Sequence, residues 1–75
     1  MPYIAIKGYP KDEATKQEIA QKITALFQEV WGCPREAITV SVEEVSPDRW
    51  AEDVVQAEIE PKKDRMLILS GEPQF

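Results

Sequence analysis

The residue best suited to chemistry in this sequence is Pro2, directly behind the initial Met1. Methionine aminopeptidase removes an initial methionine when the next residue is small, so the mature chain is expected to begin with the secondary amine of Pro2. A terminal amine titrates near neutral pH, and burial lowers its pKa further because a low dielectric disfavours the charged form. Such an amine predicts a general base that takes a proton from carbon or oxygen and returns it elsewhere.

The other residue types exclude most alternative chemistry. There is no histidine, so Ser-His-Asp and Cys-His systems are excluded. Cys33 is the only cysteine, and one thiol without histidine cannot supply the usual four ligands of a structural zinc ion. The three glycines are scattered and form no phosphate-binding loop. We therefore expect neither a metal nor a cofactor, and we interpret Cys33 as structural.

Length and charge restrict the class of protein. A chain of 75 residues makes one domain and buries only about 60% of its unfolded surface, which favours oligomerisation. The net charge of −5 argues against nucleic acid as a partner. No apolar run approaches the length of a membrane span, and no secretory signal precedes the first strand pattern, so we expect a cytoplasmic protein without a membrane partner.

Pro2 is followed by a strand pattern and then by a helix pattern. Residues 3–7 (YIAIK) are rich in β-formers and predict a strand buried on both faces, which stops at Gly8. Asp12 or Thr15 can cap the helix that follows. Its apolar stripe consists of Ile19, Ile23, Leu26, Phe27 and Val30. The stripe predicts a helix to about residue 31, ended by Gly32 in a left-handed conformation.

A second strand pattern completes a crossover unit. Residues 37–45 (AITVSVEEV) alternate between apolar and polar side chains, which predicts a strand. Strand, long helix and strand make a β-α-β unit with parallel strands and a right-handed connection, hence an α+β fold. Two strands and one helix leave sheet edges and an apolar face uncovered. A second copy would complete a four-stranded sheet backed by two helices.

The last third of the chain predicts a short helix. Ser46 can cap it, Pro47 suits its first turn, and Trp50 lies on its apolar side. Pro61 interrupts the pattern, and residues 62–69 predict a further helical turn or two. The segment 70–75 has the composition of a flexible tail. We expect a single domain over residues 1–75.

Several segments together resemble the 4-oxalocrotonate tautomerase family, over about residues 2–55. Residues 1–6 (MPYIAI) are similar to the family's opening strand. Residues 32–34 (GCP) and 38–40 (ITV) are similar to its turn into the second strand, and residues 44–50 (EVSPDRW) to the exit from that strand. In this family the amino-terminal proline is the general base in an enol–keto isomerisation of a 2-oxo acid. Arginines bind the substrate's carboxylates and polarise its carbonyl, and an aromatic residue helps to exclude water.

The resemblance implies roles for five residues of this chain. Pro2 matches the catalytic proline, and Trp50 lies at the aromatic position and is expected to wall the pocket. Lys11 lies near the first arginine position and is expected to bind a carboxylate as a point charge. The second arginine position corresponds to Thr39, whose hydroxyl can donate one hydrogen bond but carries no charge. Arg49, or alternatively Arg35, is expected to supply the missing cation.

Residues 51–55 (AEDVV) lack the glycine-rich hairpin of hexameric family members. The chain is more similar to a bacterial branch with a longer C-terminal segment, which implies a homodimer, with a hexamer as the alternative. The weaker cationic pocket favours a monocarboxylate such as phenylenolpyruvate. The predicted function is a cofactor-independent tautomerase acting on a small 2-oxo or enol acid. The alternatives are a non-catalytic binding or interaction protein with the same fold, and a hydratase or dehalogenase of unsaturated acids.

Overall fold

The computed structural model describes all 75 residues and divides into two compact units, Met1–Val45 and Ser46–Phe75, which are described in turn. The first unit is built on two parallel strands, β1 (Tyr3–Gly8) and β2 (Thr39–Glu44). Their register sets Tyr3 opposite Thr39 and Gly8 opposite Glu44. A helix lies between them in sequence, so the predicted α+β class and β-α-β crossover unit are confirmed.

The helix of the first unit, α1 (Glu13–Leu26), begins at Asp12 rather than at Thr15. The Asp12 carboxylate accepts hydrogen bonds from the Thr15 backbone N–H (3.1 Å) and hydroxyl (2.7 Å), which satisfies a helix donor that would otherwise lack a partner. A π-helical turn, Phe27–Trp31, continues the helix. Gly32 ends it with a φ of 79°, the left-handed conformation that the sequence predicts.

Only one face of β1 is covered, so the prediction of a strand buried on both faces is wrong for this chain. Ile4 and Ile6 are half-buried on one side, whereas Tyr3 is 68% exposed on the other, together with Ala5 and Lys7. The physical reason is that one helix can cover only one face of a two-stranded sheet. The strand is apolar on its covered side, and its sequence does not distinguish this from burial on both sides.

The second unit begins with α2 (Pro47–Trp50), which continues as a π-helical segment, Ala51–Ile59, and as 3₁₀ turns, Glu60–Arg65. Val54 is its most buried residue, at 5% exposure. Ser46 precedes the helix but makes no capping hydrogen bond through its side chain. No helix of the chain combines the length and apolarity needed to cross a membrane.

The second unit ends in a short antiparallel hairpin, β3 (Ile68–Leu69) and β4 (Glu72–Pro73). Its turn places both Ser70 (φ 49°) and Gly71 (φ 82°) in the left-handed region, as a primed two-residue hairpin turn requires. The helical turns predicted over residues 62–69 therefore end at Arg65 and give way to a strand. Part of the segment predicted to be a tail is paired as β4.

Candidate active site

Pro2 lies at the head of the parallel sheet. Its carbonyl oxygen accepts the Thr39 backbone N–H at 3.2 Å, next to the pair of Tyr3 with Thr39. Pro2 is half-buried, whereas Met1 is 98% exposed. With Met1 attached, the Pro2 nitrogen is a tertiary amide and cannot accept a proton. Removal of Met1 turns this fixed position at the strand end into a secondary amine.

The covered face of the sheet gives Pro2 apolar neighbours. Side chains alternate along a strand, and continuing the register of β1 and β2 by one residue sets Pro2 on the face of Ile4 and opposite Ile38, in the segment that leads into β2. Ile38 was not among the residues predicted for the site, although the two-residue period of its strand could have identified it. An apolar surrounding lowers the pKa of an amine because it disfavours the ammonium form.

Thr39 lies beside Pro2 through its backbone, but its side chain belongs to the other face of the sheet. That face carries Tyr3, Thr39 and Ser41, all exposed, and the Tyr3 hydroxyl lies 3.5 Å from the Ser41 hydroxyl. Thr39 therefore contacts Pro2 through its backbone N–H and not through its hydroxyl. The predicted hydrogen bond from its hydroxyl to substrate stays a prediction.

Lys11 lies beyond the opposite end of β1 from Pro2. Five residues lie between Pro2 and Gly8, and the six steps from one to the other span about 20 Å at the rise of an extended strand. Lys11 follows three residues later, and its backbone N–H donates to the Glu44 carboxylate at 3.0 Å, at the far end of β2. One chain therefore does not bring its own Pro2 and Lys11 together.

A cavity of about 220 Å³ adjoins Lys11 at this far end. Its apolar side chains include Ile6, Ile19 and Val42, and its charged ones are Lys11, Lys16 and Glu44. Lys16 forms ion pairs with Glu13 (3.1 Å) and Glu44 (3.2 Å), whereas no carboxylate lies within 4.0 Å of the Lys11 ammonium. The cation free to bind an anion at this cavity is Lys11.

The ionisation of this cluster follows from its contacts. The Lys11 backbone N–H, with help from the Lys16 ammonium, lowers the pKa of Glu44 below its ordinary value. Glu13 and Glu44 raise the pKa of Lys16 above its ordinary value. The groups are exposed, so solvent weakens these effects, but their direction keeps the cluster ionised at neutral pH.

Arg35 is the cation of the first unit at the Pro2 end of the sheet. It begins a short 3₁₀ turn, Arg35–Ala37, immediately before β2, and its carbonyl oxygen accepts the Ile38 N–H at 3.1 Å. Arg35 is exposed, and no carboxylate lies within 4.0 Å of its guanidinium. Only three residues lie between Arg35 and Thr39, whose backbone N–H donates to the Pro2 carbonyl.

Arg49 and Trp50 belong to the second unit. The Arg49 guanidinium pairs with Asp53 at 3.0 Å and with Glu52 at 3.3 Å, so its charge is already compensated. Trp50 is half-buried and lines a cavity of about 420 Å³ together with Val55 and Ile59. The substrate contacts assigned to these two residues stay predictions.

This is a small α+β chain with two parallel strands and a proline at the head of the first strand. Sequence comparison identifies its family. The family model described as tautomerase enzyme matches residues 2–57. The chain is 31% identical over 73 residues to tautomerase PptA of Pectobacterium carotovorum, covering 95% of this chain and 96% of that protein.

Two further relatives are designated probable tautomerases. A probable tautomerase of Xylella fastidiosa is 32% identical over 76 residues, covering 100% of this chain and 93% of the relative. A probable tautomerase of Bacillus cereus is 38% identical over 52 residues, covering 68% and 85%. The chain belongs to the tautomerase family.

Proposed function

We propose that this protein is a cofactor-independent tautomerase that converts a small enol acid, of the phenylenolpyruvate type, into its 2-oxo form. Pro2 is the general base after removal of Met1. The observation that carries this proposal is the fixed position of Pro2. Its carbonyl is held by the Thr39 N–H at 3.2 Å, on a half-buried apolar face, in a chain of the tautomerase family.

The reaction needs one group that accepts and returns a proton. The neutral Pro2 amine takes the proton of the enol hydroxyl, the oxygen's electron pair forms the carbonyl, and the C–C double bond takes up a proton at C3 from the prolinium. Atoms and charge balance without any other reactant. A base that works in this way needs a pKa close to the working pH, which the apolar neighbours of Pro2 favour.

One unpaired cation lies near each end of the sheet, and we assign one to the substrate's carboxylate and the other to its carbonyl oxygen. The unpaired Lys11 ammonium is proposed to bind the substrate carboxylate. Arg35, unpaired and at the Pro2 end of the sheet, is proposed to polarise the oxygen that becomes the carbonyl. A single lysine binds a carboxylate without the two-pronged geometry of arginine, which favours a monocarboxylate over a dicarboxylate.

A homodimer would bring the separated residues together. The carbonyls of Pro2 and Gly8 accept bonds from β2, so the even-numbered residues of β1 direct their backbone groups to β2. The backbone groups of the odd-numbered residues Tyr3, Ala5 and Lys7 then point to the opposite, open edge of β1. Pairing of two β1 edges about a two-fold axis is antiparallel and sets Pro2 of one chain near the partner subunit's Lys11.

The exposed side chains of the first unit support a dimer over a higher oligomer. Ile19, Leu26 and Val30 are 42%, 53% and 76% exposed at helical spacing, a stripe that a partner helix could cover. The uncovered sheet face instead carries Lys7 and Glu43. Stacking that face against another sheet would bury both charges, at a cost in free energy.

The test is the ketonisation of phenylenolpyruvate by protein whose mass confirms the loss of Met1. We expect a rate well above that of buffer, and a fall of at least about tenfold in Pro2→Ala, because the primary amine of alanine lacks the ring and basicity of proline. Glu43→Gln, a change of an exposed side chain away from Pro2, is the matched control. An undiminished rate in Pro2→Ala would exclude the amine mechanism. No rate above buffer would favour a binding protein.

A further inference from the structure

Glu44 joins the end of β2 to the loop between β1 and α1 and to α1 itself, at the far end of the sheet. Its carboxylate accepts the Lys11 backbone N–H at 3.0 Å and the Lys16 ammonium at 3.2 Å. The next residue, Val45, donates its N–H to the Gly8 carbonyl at 2.9 Å. The chain that leaves β1 is therefore fastened to the end of β2 at both Gly8 and Lys11.

These contacts determine where the backbone of Lys11 lies. On one side it is held by Glu44, and on the other it leads directly into Asp12, which caps α1. The side chain of Lys11 is exposed, and its ammonium makes no ion pair within 4.0 Å. A cation on a fixed backbone loses less conformational entropy on binding an anion than one on a mobile loop.

Partial charge compensation reduces the repulsion that Glu44 exerts on an anionic ligand. Lys16 pairs with both Glu44 (3.2 Å) and Glu13 (3.1 Å), so this one ammonium is shared by two carboxylates and is occupied. The Lys11 ammonium makes no ion pair within 4.0 Å, although its charge also acts on the neighbouring Asp12 carboxylate.

We propose that Glu44 is a positioning residue that fixes Lys11 for binding of the substrate's carboxylate. This inference rests on the proposed function, since it assigns the support of the same site. In this proposal Glu44 acts through Lys11, because its carboxylate, although it lines the same cavity, is occupied by the Lys11 N–H and the Lys16 ammonium. The sequence suggests no such role, because Glu44 follows Glu43 in a run that reads as solvated surface.

The test compares Glu44→Ala, Lys11→Ala and the double variant in the ketonisation assay. We expect Glu44→Ala to raise KM by about fivefold, the effect of losing one hydrogen bond, with kcat within about twofold. Lys11→Ala should raise KM by about tenfold, and adding Glu44→Ala to it should change KM no further, because Glu44 acts through Lys11. Glu44→Gln, which keeps a carbonyl acceptor for the Lys11 N–H, should restore much of the affinity.

A residue that serves folding alone would give a different pattern. Additive effects of Glu44→Ala and Lys11→Ala on KM, or a loss of kcat with KM unchanged, would overturn the proposal. Glu43→Ala is the matched control, since this neighbour on β2 is exposed on the opposite face, and it should leave KM unchanged.

A binding measurement separates this inference from the proposed function. Phenylpyruvate, the keto product, can be titrated into Met1-free Pro2→Ala protein while the Lys11 amide is followed by nuclear magnetic resonance. Weaker binding in Pro2→Ala/Glu44→Ala than in Pro2→Ala supports the positioning role even if no turnover is found. Equal dissociation constants, or no binding by either protein, would overturn it whatever the kinetics show.

Discussion

The roles proposed for Pro2 and Lys11 require different properties of their surroundings. A base must be neutral at working pH, and Pro2 lies on the covered face beside Ile4 and Ile38, where charge is disfavoured. A carboxylate binder must be charged and free, and the exposed Lys11 has no ion pair. Arg49 is charged but not free, because Glu52 and Asp53 already compensate its charge.

The pH dependence of the reaction should report the Pro2 amine. Activity requires the neutral form, so kcat/KM should fall as the pH drops through the amine's pKa and level off above it. Apolar neighbours should put that pKa below the value of about 8 of an unperturbed terminal amine. The measurement is kcat/KM for phenylenolpyruvate from about pH 5 to 9, where the substrate carboxylate stays ionised.

Protein carrying a retained amino-terminal extension is the control for this profile, since its Pro2 nitrogen remains an amide. It should show only the rate of buffer at every pH. A midpoint above 8 would mean that the Pro2 surroundings do not disfavour charge. A flat profile would assign the proton transfer to a group other than Pro2.

At the scale of elements, local signals account for what the sequence predicts. The Asp12 cap, the apolar stripe around Ile23 and the left-handed Gly32 are each determined within one or two turns of chain, and the structure contains all three. The uncovered face of β1 and the hairpin at Ser70 were missed. Burial depends on which elements pack against a strand, and two-residue strands are too short to show a period.

The cap of α1 gives a test of this local determination. Asp12→Ala should lower Tm at pH 7 by on the order of 5 °C, because the Thr15 N–H loses its acceptor. Asp12→Asn keeps an acceptor and should stay close to the wild type. Thermal unfolding followed by circular dichroism, at one fixed protein concentration, measures both.

The pH dependence of this effect has a defined sign. The Thr15 hydroxyl and backbone N–H lower the pKa of Asp12 below 3.8. A lowered folded-state pKa contributes stability that is present above 3.8 and is lost as the pH falls through the folded value. The Tm difference between wild type and Asp12→Ala should therefore shrink below about pH 3.8. A difference that persists undiminished at pH 2 would contradict the contribution of the ionised cap.

At the scale of the whole molecule, β1 separates the two residues proposed to act on the substrate, Pro2 and Lys11. The sequence predicts this separation, because the strand pattern over residues 3–7 lies between them. It does not predict that Glu44 at the end of β2 lies beside Lys11, because that depends on the pairing of strands distant in sequence. The same pairing leaves one edge of β1 open, where a second copy can add strands.

A shared active site predicts that two impaired variants complement each other. If each site takes Pro2 from one chain and the partner subunit's Lys11, a dimer of one Pro2→Ala chain and one Lys11→Ala chain has one fully intact site and one doubly altered site. Random mixing makes half of all dimers mixed, so unfolding and refolding an equimolar mixture should recover about a quarter of wild-type activity at substrate well below KM, where each variant alone should keep no more than about a tenth. Each variant refolded alone, and the two mixed without unfolding, are the controls. Sites formed within one chain would leave every site of the mixed dimer with one lesion, and activity at the level of the separate variants would exclude the shared site.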